Sequence, residues 1–293
     1  MTVAIKFLHR LLALLPLPWV HALGGFIGRG FVYIPNKRLS TTRTNLSLCF
    51  PELSEQERQQ LARTSFMETG KGVFETSAMW LWPRERILSL VKQVSGEEHI
   101  QAGMKRGKGI ILAAPHLGAW EIIGLYCPPR YPMTILYKPP PMEGMDQLMR
   151  ASRERTGATL APTDRTGIKA LYQALDRGEI VGILPDQDPA GGAGVFTPFF
   201  GRSANTMVLL SRLAARSQAA VILAYAERLP RGHGYHLHFI PGSKAINDPD
   251  LTTSATAVNA LVEQGVRTLP EQYLWCYKRF RTRPAGESKL YKK

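Results

Sequence analysis

Short apolar runs alternate with longer amphipathic stretches through most of the chain. The apolar runs predict strands at residues 107–115, 134–137, 179–184, 219–226 and 235–240. The amphipathic stretches predict helices at 54–82, 117–126, 142–156, 167–177, 203–217 and 252–269. Strands that alternate with helices indicate an α/β fold with a mostly parallel central sheet flanked by helices.

The N-terminal pattern is different, because eighteen residues between Arg10 and Arg29 carry no formal charge. One helix of that length would reach about 27 Å, which is marginal for a hydrocarbon core of about 30 Å. Pro16 and Pro18 would break it into two apolar pieces. A secretory signal peptide and a buried helical hairpin are the alternatives. We expect a retained membrane anchor or interfacial helical segment over 1–36, followed by one domain over 37–293.

Charge is the unusual part of the composition. Lys and Arg number 37 against 23 Asp and Glu, which gives a net charge of +14. Such a surplus predicts an anionic partner, and composition leaves open nucleic acid, acidic lipid, a phosphorylated substrate or an acidic protein. The cysteines, Cys49, Cys127 and Cys276, are too far apart for a zinc motif or a disulfide framework.

One short segment has the residue types of proton-transfer chemistry. His116 follows the strand at 107–115, and Glu121 lies five residues later, at the start of the predicted helix. A carboxylate that fixes the histidine tautomer would let the other ring nitrogen take the proton of an attacking hydroxyl. Asp186 follows another strand, and in parallel sheets such positions gather at one edge. We therefore predict His116 as general base and Glu121 as its orienting partner.

Several segments, in order along the chain, strengthen this interpretation. They are 42–51 (TRTNLSLCFP), 114–121 (APHLGAWE), 136–139 (LYKP), 153–155 (RER), 183–188 (ILPDQD) with 195–201 (VFTPFFG), and 270–280 (PEQYLWCYKRF). Together they resemble the lysophospholipid-type acyltransferases, and the glutamate form of the histidine motif resembles the late (secondary) acyltransferases of lipid A biosynthesis. Tyr277 departs from that pattern, which has histidine there, so no role is carried over to it.

The resemblance implies an acyltransferase of the inner membrane, with its catalytic domain on the cytoplasmic face. It implies transfer of a fatty acyl chain from acyl carrier protein to a hydroxyl of a 3-hydroxyacyl chain on a lipid A precursor. No cofactor and no nucleic acid is expected. The net charge agrees, since the carrier protein, the glycolipid and the inner leaflet are all anionic. Candidate substrate-binding residues are Lys138, Arg153, Asp186 and Arg279, with Asp186 orienting an arginine or the backbone of the histidine loop.

Other interpretations stay open at this point. The acceptor in the same chemistry could be a phosphatidylinositol mannoside or an ornithine-type lipid, and the chain could be an inactive scaffold. A basic nucleic-acid-binding protein would explain the charge but leaves the apolar N-terminus without a role. His236 and His238 alternate with apolar residues on one strand, and we expect them on its exposed face without a metal.

Overall fold

The computed structural model describes residues 2–140, 143–189 and 193–291. Four helices come first, α1 (Thr2–Leu14), α2 (Leu17–Phe31), α3 (Lys37–Cys49) and α4 (Glu55–Leu81). Pro16 separates α1 from α2, as expected for a residue that lacks a backbone donor. Ser54 and Glu57 form a reciprocal capping box at the start of α4.

A seven-stranded sheet forms the centre of the molecule. Its strands are β1 (Val91–Ser95), β2 (Ile110–Ala113), β3 (Met133–Tyr137), β4 (Thr159–Pro162), β5 (Ile180–Ile183), β8 (Ala220–Arg228) and β9 (Tyr235–Pro241). They lie in the order β1-β9-β8-β2-β5-β3-β4, and every neighbouring pair is parallel except β8 with β9. A separate antiparallel pair, β6 (Val195–Phe199) and β7 (Arg202–Thr206), lies outside this sheet.

Helices cover both faces of the sheet. Along β2, Ile111 and Ala113 belong to one buried cluster, whereas Ile110 and Leu112 belong to the other. The remaining helices are α5 (Arg84–Leu88), α6 (Glu97–Lys105), α7 (Ile123–Tyr126), α8 (Glu143–Glu154), α9 (Arg165–Asp176), α10 (Leu209–Ser217) and α11 (Leu251–Thr268). A central strand that is apolar on both sides is typical of a parallel sheet between two helical layers, and the predicted α/β class is confirmed.

The N-terminal helices pack on α4 through glycines. A Cβ at Gly28 would lie 2.2 Å from the carbonyl oxygen of Phe66, and one at Gly24 would lie 2.6 Å from that of Gly70. Only glycine permits such a close approach of two backbones. Among the residues described, no helix combines the length and the apolar character that a membrane crossing requires. The predicted boundary at residue 36 stays a prediction.

Two predicted helices differ from the structure. The stretch predicted as a helix at 203–217 begins with β7, and α10 starts only at Leu209, because 202–206 pairs with β6. Residues 117–119 form a loop whose backbone bonds to other segments, so regular helix begins late, with a 3-10 turn at Trp120–Ile122 before α7. Both differences arise from tertiary contacts that local spacing does not encode.

Candidate active site

A loop of six residues, 114–119, leaves the carboxyl end of β2 and is fixed from several sides. The carbonyl oxygen of His116 accepts from the N–H of Leu274 at 3.0 Å, and the N–H of Gly118 donates to Gln272 at 3.0 Å. Gly118 has a φ of +61°, and a Cβ there would lie 2.0 Å from the carbonyl oxygen of Ala226. Glycine is needed at this turn both for its backbone conformation and for space.

The register of two parallel strands brings His116 and Asp186 together. Ala113 in β2 is paired with Ile183 in β5. His116 lies three residues after Ala113, and Asp186 lies three residues after Ile183. The carboxyl ends of parallel strands meet at one edge of the sheet, where sites of this fold class form. The expectation that both residues occupy this edge is confirmed.

The His116 ring is bonded on both nitrogens. Its Nδ1 lies 2.9 Å from Oδ1 of Asp186, and its Nε2 lies 3.1 Å from the side-chain amide nitrogen of Gln187. The carboxylate can only accept and the amide nitrogen can only donate, so the network assigns the proton to Nδ1 and the lone pair to Nε2. In this tautomer Nε2 has the free lone pair and accepts a hydrogen bond from the neutral Gln187 amide. A substrate hydroxyl can take the place of that amide.

Asp186 is buried and ionised in this arrangement. Burial opposes its ionisation, but the attraction of His116 and the hydrogen bonds from the His116 ring and backbone lower the pKa of Asp186. Its bond to the His116 backbone N–H matches the predicted contact with the loop. Burial and the Asp186 charge raise the pKa of Tyr273 well above its usual value, so this phenol stays protonated beside the pair.

Glu121 has a different partner from the one predicted. Its buried carboxylate accepts from Nε of Arg153 at 3.2 Å and from Nη2 at 2.5 Å, a two-point ion pair. The predicted hydrogen bond to the His116 ring is replaced by that of Asp186. The reason is local: the loop at 117–119 and the following 3-10 turn direct Glu121 towards α8, where Arg153 lies.

A mostly apolar groove opens beside this loop. Its cavity volume is about 110 Å³, and a smaller cavity shares Gly72, Thr76 and Trp120 with it. The Trp120 ring also contacts His116, with ring centroids 5.1 Å apart. The groove is lined by Glu68, Thr69, Gly72, Val73, Thr76, Trp120, Arg228, Gln272 and Leu274. Trp120 therefore connects the histidine to a space of apolar character.

The other predicted binding residues are in different situations. Lys138 directly follows β3 at the same sheet edge and is exposed. Arg279 is buried, and its guanidinium donates to the carbonyl of Asn205 at 2.7 Å and to the hydroxyl of Thr206 at 2.9 Å. That placement gives Arg279 a structural contact between the C-terminal segment and β7 and keeps its charge away from the groove. Arg281 is more exposed, and its Nε lies 3.3 Å from Asp188.

Sequence reasoning missed three contributors to the site. The Gln187 amide is hydrogen-bonded to Nε2 of His116, and Trp120 packs on the His116 ring. Arg228 supports the loop, since its Nη2 donates to the carbonyl oxygen of Gly118 at 2.9 Å. Gln187 follows the singled-out Asp186, and Trp120 precedes Glu121, so proximity to those residues was an available signal. Arg228 lies at the end of an apolar strand, and its contact depends on the tertiary structure.

The chain was compared with known protein families and with individual proteins. A family model described as bacterial lipid A biosynthesis acyltransferase matches residues 2–282. The lipid A biosynthesis lauroyltransferase of Escherichia coli (strain K12) is 33% identical over 278 residues, which is 94% of this chain and 90% of the relative. The palmitoleoyltransferase of the same strain is 31% identical over 281 residues, with coverages of 94% and 90%. The myristoyltransferase of that strain is 27% identical, with coverages of 94% and 84%. The chain belongs to the bacterial lipid A biosynthesis acyltransferase family.

Proposed function

We propose that this acyltransferase moves a fatty acyl chain from acyl carrier protein to the hydroxyl of a 3-hydroxyacyl chain on a lipid A precursor. His116 is the general base, and Asp186 orients it. The observation that carries this proposal is the His116–Asp186 pair at the carboxyl edge of β2 and β5, with Nε2 of His116 facing a neutral amide.

The proton follows a short route. The acceptor hydroxyl takes the place of the Gln187 amide at Nε2 of His116 and donates its proton as its oxygen attacks the thioester carbonyl carbon. The imidazolium that forms is stabilised by the ionised Asp186 at Nδ1. The tetrahedral intermediate collapses with cleavage of the carbon–sulfur bond. The departing sulfur recovers the proton from His116, so the products are the new ester and the free thiol of the carrier protein.

Glu121 and Arg153 act as a pair in this proposal. Glu121 binds the Arg153 guanidinium by two hydrogen bonds. Glu121 directly follows Trp120, so this ion pair lies next to the residue that packs on His116. The N–H donors of Arg153 that Glu121 does not use are thereby oriented for an anionic substrate group, without disturbing the tautomer of His116. Lys138, exposed at the same edge, is proposed to contact phosphate on the carrier protein or the glycolipid.

The net positive charge of the chain supports acyl carrier protein as the acyl donor. A net charge of +14 favours association with an acidic protein, because electrostatic attraction raises the rate of encounter. Exposed cations near the sheet edge, Lys138 and Arg281, supply such a surface locally. We expect transfer from the carrier-protein thioester to fall steeply as ionic strength rises, because exposed charges are screened by salt.

The N-terminal helices are proposed to lie on the inner membrane, with the catalytic domain on its cytoplasmic side. Their large apolar side chains point away from the protein, and the spacing along each helix places them on one face. The exposed residues are Phe7, Leu8, Leu11 and Leu14 on α1 and Trp19, Leu23, Phe26 and Phe31 on α2, and Tyr33 and Ile34 are exposed in the segment that follows α2. Arg10 and Arg29 are exposed on the same helices, and cations at this position attract anionic headgroups.

The reaction is tested with purified full-length protein, acyl carrier protein loaded with a fatty acid, and two acceptors. One acceptor is a lipid A precursor with free 3-hydroxyacyl chains, and the other is the same precursor with those hydroxyls removed. We expect mass spectrometry to show one added acyl chain on the first acceptor only. Transfer to the acceptor without hydroxyls would contradict the proposed substrate, as would preferential transfer to a phosphatidylinositol mannoside supplied in a separate competition assay.

The membrane contact is tested by flotation with vesicles of anionic phospholipid. Leu11→Glu combined with Phe26→Glu introduces charge into the apolar face, and we expect it to abolish co-flotation. Phe196→Glu is the matched control, because Phe196 is exposed but lies on β6, away from α1 and α2. Equal flotation of the double variant and the control would overturn the assignment of this face.

A further inference from the structure

Three side chains on β8 and β9 converge on one point of the sheet surface. Glu227 is directly opposite His236 in the antiparallel pairing, and His238 lies two residues further along β9. Side chains two apart on a strand share a face, so both imidazoles stand beside the carboxylate. Their ligand atoms all lie within 4.8 Å of one another. The shared face was expected from the sequence, whereas the third ligand was not.

From this arrangement we infer a binding site for a divalent transition-metal ion, with zinc as the best match, formed by Glu227, His236 and His238. Oε2 of Glu227 lies 3.0 Å from Nε2 of His238 and 3.9 Å from Nδ1 of His236. Zinc bonds of about 2.0–2.1 Å in a tetrahedron place ligand atoms about 3.3 Å apart. The two separations from Glu227 bracket that value, and all three ligand atoms lie within 4.8 Å of one another, so side-chain rotations can bring them to one ion.

The surrounding residues fix the two rings in orientations that suit metal binding. Nε2 of His236 lies 2.8 Å from the hydroxyl of Ser95, which leaves Nδ1 directed at Glu227. The His238 ring is stacked on Tyr225, with centroids 4.7 Å apart and planes 13° apart. Hydrogen bonds of this kind set the tautomer and rotation of metal-ligating histidines.

The site has an entrance and room for a fourth ligand. The side chains of His236, His238 and Glu227 are 14%, 20% and 32% exposed, so solvent reaches the point where they meet. Water would complete a tetrahedral ion, as expected for two imidazoles and one carboxylate. Glu227 precedes Arg228, which supports the loop of His116 through Gly118. An ion here would therefore fix the end of β8 next to that support.

The site is tested with full-length protein prepared without a polyhistidine tag and treated with chelator. Co²⁺ is the spectroscopic probe, and Zn²⁺ is titrated by calorimetry. We expect one equivalent of Co²⁺ to give the visible absorption of a four-coordinate ion, and Zn²⁺ to displace it. His236→Asn, His238→Asn and Glu227→Gln should each weaken Zn²⁺ binding by at least about tenfold, and Ser95→Ala by about tenfold.

Two histidine variants are the controls. His233 is exposed just before β9 and outside the cluster, so His233→Asn should bind like the wild type. His116→Asn should also retain binding, which separates this site from the His116–Asp186 pair. The inference is overturned if the wild type binds no Co²⁺, if the three ligand variants bind as the wild type does, or if either control abolishes binding. These outcomes are independent of acyl transfer.

Discussion

Two histidine–carboxylate pairs with a buried carboxylate, His116–Asp186 and His21–Glu75, have the same length but different surroundings. His116 Nδ1 lies 2.9 Å from Asp186, and His21 Nε2 lies 2.9 Å from Glu75. Both carboxylates are buried, and neighbouring charges lower the pKa of each despite burial. Distance and ionisation are thus alike in the two pairs. What separates them is the number of partners and access to the ring.

Glu75 is satisfied from several directions. Its Oε1 accepts from Nε and Nη2 of Arg228 at 2.8 and 2.6 Å, and its Oε2 accepts from the hydroxyl of Tyr235 at 2.9 Å as well as facing His21. The His21 side chain is 5% exposed, against 16% for His116. A closed network of this kind fixes α2, α4 and β8 relative to one another. The His116 pair instead has an open side, where a substrate hydroxyl fits.

The two pairs are also connected. Arg228 bonds Glu75 and, through the same Nη2, the carbonyl oxygen of Gly118 in the loop of His116. The closed pair therefore supports the open one, and the N-terminal helices contribute to the geometry of the site through His21. The accessible second ring nitrogen is what distinguishes the proposed catalytic pair from the pair that supports it.

The largest expected difference is in turnover. His116→Gln should reduce the rate of acyl transfer by on the order of 10³-fold, because it removes the general base. His21→Gln makes the same substitution in the closed pair and should change the rate only severalfold. Both are measured by mass spectrometry of the acylated product, with circular dichroism confirming the fold. Comparable losses in two folded variants would remove the distinction between the pairs.

The next effect is on stability and concerns Glu75. Glu75→Gln removes the nearer of two ionic partners of the buried Arg228, leaving Glu68 at 3.7 Å, and should lower the free energy of unfolding by about 3–5 kcal/mol, measured by chemical denaturation. The double variant Glu75→Gln with Arg228→Met should recover part of this loss.

The lowered pKa of Glu75 also makes stability depend on pH. Its ionised carboxylate stabilises the folded state above pH 4.5, the ordinary glutamate pKa, and this contribution disappears as the pH falls through the folded pKa. A pH profile below 4.5 that Glu75→Gln leaves unchanged would contradict the assignment.

Asp186→Asn tests whether Asp186 is the functional partner of His116. The amide cannot stabilise the imidazolium and permits the wrong tautomer. The rate should fall by at least about 10²-fold, while binding of acyl carrier protein is retained. Glu121→Gln is the control for the alternative pairing, and it should act through Arg153, raising KM more than it lowers kcat. A larger loss of kcat in Glu121→Gln than in Asp186→Asn would restore Glu121 as the partner of His116.

The smallest effect concerns the packing that brings His21 to Glu75. Gly28→Ala places a methyl group 2.2 Å from the Phe66 carbonyl oxygen and should cost about 1–3 kcal/mol of stability. Gly30→Ala is the matched control, because a Cβ there has no atom within 4 Å among the residues described. It should be neutral or gain up to about 1 kcal/mol from helix propensity. Equal thermal midpoints for the two variants would contradict the close packing of α2 on α4.

Much of the fold was predictable from local pattern. The strands β2, β3, β5, β8 and β9 and the long helices α4, α9 and α11 follow from apolar periodicity, a capping box and glycine or proline at their ends. The hairpin of β6 and β7 was not predicted, because Ser203 to Thr206 adopt strand conformation through pairing with residues that precede them. Local preference is weak there, and the partner decides the conformation.

The sequence by itself determined the family, the identity of His116 as the residue of interest, and its place after a buried strand. The tertiary structure decided which carboxylate meets its ring, since the register of β2 and β5 brings Asp186 to Nδ1 while a 3-10 turn directs Glu121 to Arg153. It also decided that Arg279 is buried and that Glu227 joins two histidines. The physical reason is common to all of these: side-chain partners far apart in sequence are set by strand register and helix packing, which spacing along the chain does not specify.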